Sequence, residues 1–188
     1  MTLDPRTALV LIDLQVGIAS LVAADALRAT AERSAELAAA FRAQAAPVLL
    51  VRTNFASDGG DVPRNRTDVA RPTGRPPANW TEPLTELGAA PTDIVVIKHQ
   101  PGAFHGTDLD LQLRRRGITD VVLGGVATSL GVESTARAAY DHGYHVSFAA
   151  DAMADPDLGA HEHSLRVTFP KFGHVTTTQA LLAAEKVG

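Results

Sequence analysis

Apolar positions fall along this chain in short unbroken runs, spaced by segments of helical periodicity. TALVLIDL at residues 7–14, PVLLVR at 47–52, IVVIK at 94–98 and VVL at 121–123 are continuous, not alternating. Runs of that kind mark strands buried on both faces, as in a parallel sheet. Residues 24–45 are alanine-rich, with Leu27, Leu37 and Phe41 among apolar residues at helical spacing, and Ala, Leu, Glu and Arg all favour a helix there. A second helix is expected from Asp108 through Arg116 with Gly117 as its stop, and a third over 160–169, cut at Pro170. His174 and Val175 lead into a short last strand, and QALLAAEKV forms a terminal helix capped by Thr178 or a neighbour. Strand and helix alternate about six times with no second composition regime. The pattern predicts one α/β domain over residues 1–188: a doubly wound, mostly parallel sheet of about six strands with helices on both faces.

The segment VVLGGVATSLGVESTARAAYDHGYHVSFAAD, residues 121–151, organises the rest. It reads as strand, turn at Gly124 and Gly125, helix capped by Thr128 or Ser129, stop at Gly143, and strand over 144–150. Ligands of open α/β sheets bind at the carboxyl ends of strands beside helix N-termini, which puts weight on Gly131 in the first turn of this helix. Residues 53–79 break the pattern, being polar and rich in Gly and Pro, and a loop of that length in a compact domain is usually functional or mobile. A short helical turn is expected over 80–87.

Composition narrows the functional classes. The chain has 188 residues, 45% apolar and 20% charged, with a net charge of −4. That balance forces no basic face and argues against nucleic acid as a partner. With no cysteine, disulfides, thiolate metal sites and thioester chemistry are all excluded. The N-terminal MTLDPRTALVLIDLQ lacks a basic region before a long apolar core, and no apolar run approaches the ~20 residues that span a membrane. A cytoplasmic protein acting on a small molecule is the resulting expectation.

Asp13 ends the first apolar run and Lys98 ends the third. Buried strands are poor places for ions, so such a pair seeks each other or a ligand; the bland alternative is a turn cap and a solvated strand end. Three stretches decide between these. LVLIDLQ, IVVIKHQPGAFHGTDLDLQLRRRGI and GVATSLGVESTARAA resemble, in the right order, the acid, lysine and nucleophile motifs of the isochorismatase-like (cysteine hydrolase) superfamily. The resemblance covers about residues 9–154. Val126, Thr128, Val132 and Thr135 match the nucleophile motif, but Gly131 stands where the family's amidases carry cysteine; true isochorismatases also lack it.

The resemblance implies that Asp13, Lys98 and Gly131 form the catalytic centre, converging at the carboxyl edge of the sheet. It also implies a cis peptide between Val126 and Ala127, whose carbonyl and nearby N–H groups form an oxyanion site, and substrate contacts from Gln15, Phe104, His105, Val126, Ala127 and Thr128. Without a thiol, the chemistry it implies is hydrolysis of a vinyl ether: Asp13 protonates the methylene carbon and water traps the oxocarbenium ion. No cofactor is implied, and a dimer or tetramer is.

Other readings compete. Ser129 and Ser134 lie in the motif, yet no histidine there serves as the base a serine nucleophile needs. Arg52 and Asn54 follow the second strand and either face the pocket or sit in solvent. His161 and His163 flank Glu162, but residues i and i+2 of a helix point to different sides, so no metal is expected. GGVATSLG lacks the G-x-G-x-x-G order of a dinucleotide site. The remaining alternative is a binding or oligomeric scaffold that kept the fold after losing the cysteine.

Overall fold

A computed structural model describes residues 4–69 and 77–183. Its six strands are β1 (Thr7–Ile12), β2 (Val48–Thr53), β3 (Ile94–Lys98), β4 (Asp120–Val126), β5 (His145–Ala154) and β6 (Gly173–Thr176). All pairings are parallel, in the order β3-β2-β1-β4-β5-β6. The six helices are α1 (Val16–Ala19), α2 (Ala24–Ala43), α3 (Leu109–Arg115), α4 (Glu133–Asp141), α5 (Leu158–His163) and α6 (Thr178–Ala183). The doubly wound sheet expected from the apolar runs is thus what the chain forms.

Side chains alternate across each strand and so feed two cores. Ala8, Val10 and Ile12 of β1 pack with Leu109 and Leu113 of α3 and Ala136 and Ala139 of α4. Leu9 and Leu11 pack on the other face with Leu37, Ala38 and Phe41 of α2 and Leu181 and Leu182 of α6. From β1 the chain goes on to β2 and β3 on one side, and from β4 to β5 and β6 on the other. That makes the β1–β4 boundary the switch point of the sheet, where the carboxyl ends of strands open a crevice.

Several local expectations are corrected. Gly124 and Gly125 do not turn the chain: they continue β4, opposite Leu11 and Ile12. Gly125 has φ +117°, and a Cβ there would stand 2.1 Å from the Ile12 carbonyl oxygen, so close strand approach explains the glycine. The turn comes at residue 127, into a π-turn, Thr128–Val132, that runs directly into α4. Neither Thr128 nor Ser129 caps it; Asp155 does, accepting from Ser129 N (2.7 Å) and Oγ (2.8 Å). β5 extends four residues past its expected end. The helix expected over 160–169 is α5, a second π-turn (Ser164–Thr168) and a 3-10 turn (Phe169–Lys171) that accommodates Pro170 in its first turn. Thr177, next to Thr178, caps α6 through its Oγ1.

Of the polar stretch 53–79, residues 70–76 lie outside the described residues. The rest carries no helix, and the turn expected after it is a 3-10 turn, Thr85–Leu87. Among the described residues no helix is long and apolar enough to cross a membrane.

Candidate active site

Register brings the polar strand ends together. Ile12 pairs with Val51, Thr53 with Lys98, and Ile12 with Gly125, so β3, β2, β1 and β4 end side by side. Strand alternation would send the Asp13 side chain to the α2 face, since Leu11 points there. Asp13 instead adopts φ +51°, a left-handed conformation rare for a residue with a Cβ. Its carboxyl group thereby meets Lys98 and Thr53.

The three side chains form a closed trio. Lys98 Nζ donates to Asp13 Oδ2 at 2.6 Å, to Thr53 Oγ1 at 2.9 Å and to the Gln100 carbonyl at 3.2 Å. Thr53 Oγ1 donates to Asp13 Oδ1 at 2.9 Å. Asp13 is 4% exposed and Lys98 2%. Burial pushes the Asp13 carboxyl above the ordinary carboxylate range, and the Lys98 charge and the Lys98 and Thr53 hydrogen bonds offset this only in part. Sequence reading missed Thr53 as a member. Its signal is the parallel register, which sets the last residue of β2 beside the last residue of β3.

Gly131 faces the same carboxyl group. A Cβ at this position would stand 3.3 Å from Asp13 Oδ2, 3.2 Å from the Val126 carbonyl oxygen and 3.1 Å from Ile12 Cγ2. The residue is buried in the π-turn, and the missing side chain lets that turn pack closely against the acid. Asp13, Lys98 and Gly131 are therefore brought together at the carboxyl edge. Val126 and Ala127 are joined by a cis peptide next to them. Thr128, expected to contact substrate, is fully buried with its Oγ1 2.8 Å from His161 Nδ1.

The other residues expected to touch substrate are placed differently. Gln15 is fully buried, and its amide is spent on the Thr53 backbone and the Trp80 carbonyl. Phe104 belongs to the core: its ring stacks 5.0 Å from His142 and tilts 5.8 Å from Tyr144, at the opposite end of α4 from Gly131. An aromatic side chain after a glycine turn finds the apolar core first. His105 is exposed, and its carbonyl accepts from Gln100 Nε2. Arg52 projects to the face opposite Lys98 and donates to the Thr81 carbonyl at 3.0 Å, as alternation next to Thr53 requires. Asn54 is held beside the strand end, its N–H on the Lys98 carbonyl and its own carbonyl 2.6 Å from His99 Nδ1.

Ser129 is committed to Asp155, which sequence reading did not single out. Among the described residues, no group of three or more His, Asp and Glu side chains is placed to hold a metal ion. Chemically, the centre offers a buried carboxyl group inclined to keep its proton, with an ammonium and a hydroxyl to receive the charge once it leaves.

Comparison with known proteins identifies the family. The isochorismatase domain matches residues 7–180. The isochorismatase family protein YwoC of Bacillus subtilis is 43% identical over 183 residues, covering 96% of this chain and 95% of its own. An isochorismatase family protein of Burkholderia thailandensis has a solved structure with a TM-score of 0.87 at 47% identity, over 95% of this chain and 94% of its own. A shorter match, 40% identical over 95 residues, is to the ureidoacrylate amidohydrolase RutB of Methylorubrum extorquens; it covers 50% of this chain and 38% of that one. Strand order, motif order and identity over nearly the full length lead to one assignment: the chain belongs to the isochorismatase family of hydrolases.

Proposed function

We propose that this chain is a cytoplasmic hydrolase that cleaves a vinyl ether of a small carboxylate, such as isochorismate, by general-acid catalysis from Asp13. The observation that carries the reading is the buried Asp13 carboxyl group, its pKa raised by that burial, with Oδ2 turned to the side-chain-free backbone of Gly131. Amide hydrolysis of the kind named for RutB, run through a thiolate, has no nucleophile in a chain without cysteine.

The steps balance without a covalent intermediate. Asp13 gives its proton to the terminal methylene carbon, and the π electrons form the new C–H bond. The ether oxygen shares its lone pair with the neighbouring carbon, giving an oxocarbenium ion. Water adds to that carbon and returns a proton to the Asp13 carboxylate. The resulting hemiketal collapses to a free alcohol and a keto acid. Lys98 and Thr53 stabilise the carboxylate left behind by the first step, which lowers the barrier to releasing the proton. Gly131 adds no side chain between Asp13 Oδ2 and the methylene carbon.

A second reading has its own observation. Both Asp13 oxygens and all three Lys98 hydrogens already have partners, so the trio also serves as a bolt across β1, β2 and β3 in a non-catalytic binding scaffold. Purified protein offered isochorismate and a panel of amides separates the two. The hydrolase releases pyruvate from isochorismate and no ammonia from the amides. Ammonia release without pyruvate would overturn the vinyl-ether reading, and silence on every compound would leave the scaffold.

A further inference from the structure

We infer that Thr53, clamped by Gln15 and Trp80, is a positioning residue for Asp13 that fixes which of the two carboxyl oxygens faces Gly131. The inference rests on the reading of Asp13 as proton donor and adds residues that reading does not use.

The clamp answers a local problem of backbone pairing. β1 ends at Ile12, opposite Val51, because Asp13 turns away with φ +51°. β2 continues two residues further, so the Thr53 peptide has β3 on one side and no strand on the other. A buried peptide group left without partners is costly. Gln15 supplies them. Its Oε1 accepts from Thr53 N at 2.7 Å and its Nε2 donates to Thr53 O at 2.9 Å, as a neighbouring strand residue would. Trp80 Nε1 adds a second donor to Thr53 O at 3.2 Å. Gln15 Nε2 also donates to Trp80 O at 3.1 Å, which joins the two clamp residues. The Trp80 indole lies flat on Gly17, where a Cβ would come within 1.9 Å of Cε3.

With its backbone held on both sides, Thr53 has one hydroxyl hydrogen to place. Lys98 donates to Oγ1, so the hydrogen goes to Asp13 Oδ1. Oδ1 is thereby held on the β2 side, and Oδ2, which accepts from Lys98 Nζ at 2.6 Å, is the oxygen turned to Gly131. Without this contact the carboxyl group is held at Oδ2 alone, by Lys98, and can turn about that bond. Catalysis requires the donor atom to be held near its productive position, and here a hydroxyl on the neighbouring strand does the holding.

The test needs no substrate. Protein labelled with 13C at the aspartate carboxyl is titrated by NMR, with the Asp13 signal assigned by its absence in Asp13→Asn. A hydrogen bond to the carboxylate favours the ionised form, so Thr53→Val moves the Asp13 midpoint to higher pH, and Thr53→Ser restores the wild-type midpoint. Gln15→Leu keeps the hydroxyl but frees the peptide that aims it; it moves the midpoint in the same direction and changes the emission of Trp80, the chain's single tryptophan. Thr53→Ala replaces Thr53→Val if the valine variant does not fold. An Asp13 midpoint unchanged in the hydroxyl-free variants, or shifted as far by serine as by valine, overturns the inference. A wild-type protein that hydrolyses no vinyl ether would defeat the proposed reaction alone, because these midpoints are read without turnover.

Discussion

Gly131→Ala isolates the missing side chain beside the acid from every other feature of the centre. Gly131 does not have a positive φ, so a Cβ carries no backbone strain, and in a helical turn alanine gains about 1 kcal/mol over glycine. Against this stand three contacts of 3.1 to 3.3 Å, to Ile12 Cγ2, the Val126 carbonyl and Asp13 Oδ2, each a few tenths of an ångström too close. Mild overpacking of this kind costs about 1–3 kcal/mol. The two terms nearly cancel, and the expected stability change is a loss of about 0–2 kcal/mol. Turnover responds quite differently. The methyl group stands between Asp13 Oδ2 and the substrate carbon that receives the proton, and activity should fall by the roughly 10²–10⁴-fold that general-acid catalysis supplies. Chemical denaturation reads the first quantity and pyruvate release from the vinyl ether reads the second. An alanine variant that folds normally and turns over at the wild-type rate would refute the idea that the acid needs a neighbour without a side chain.

Three further outcomes follow from packing and charge. Gly17→Ala drives a methyl group into the Trp80 ring, so Trp80 must leave its seat; its emission should shift to the red and stability should fall, whereas unchanged emission would show that the ring does not rest on Gly17. Arg42 forms a bidentate pair with Asp93, whose side chain is 2% exposed, and removing one partner of such a pair costs about 3–5 kcal/mol; Arg42→Ala should lie near the low end, about 3 kcal/mol, because Arg42 itself reaches solvent, and a loss below about 1 kcal/mol in urea denaturation would contradict this. Asp110 is the acid-sensitive group of the α3–α4 junction: burial works against its charge, but hydrogen bonding from Tyr144 and the charges of Arg114 and His142 outweigh it and lower its pKa. Its stabilising contribution is therefore present above the ordinary carboxyl pKa of 3.8 and is lost as pH falls through the lower folded value. Tyr144→Phe should weaken that acid-dependent part of the melting temperature, and an unchanged melting curve between neutral and acidic pH would count against it.

The fold was legible where apolar runs were long. β1, β2 and β3 declare themselves because strands buried on both faces need unbroken Val, Ile and Leu, and charges can stand only at their ends. That is why Asp13 and Lys98 were readable as a pair, and why Gly131 followed once a helix start was placed after β4. What stayed hidden depends on contacts far apart in sequence. Thr53 joins Asp13 across 40 positions and Lys98 across 45, through register alone. Gly124 and Gly125 carry turn chemistry in isolation, yet both lie within β4, and at Gly125 the backbone of β1 runs so close that only glycine fits. Phe104 has the composition of a pocket residue and of a core residue, and only packing on His142 and Tyr144 chooses the core. Gln15 sits in a functional motif but serves the backbone of the next strand.

The central claim is that Asp13 delivers a proton to carbon. Turnover of isochorismate in D2O, followed by NMR of the released pyruvate at early times, measures this directly in wild type and Asp13→Asn. The account predicts one deuterium in each newly formed methyl group, a rate slower in D2O than in H2O, and no product above background from the asparagine variant, because an amide cannot donate the proton. Pyruvate formed by Asp13→Asn at the wild-type rate, or lost only when Ser129 or Ser134 is replaced, would contradict it.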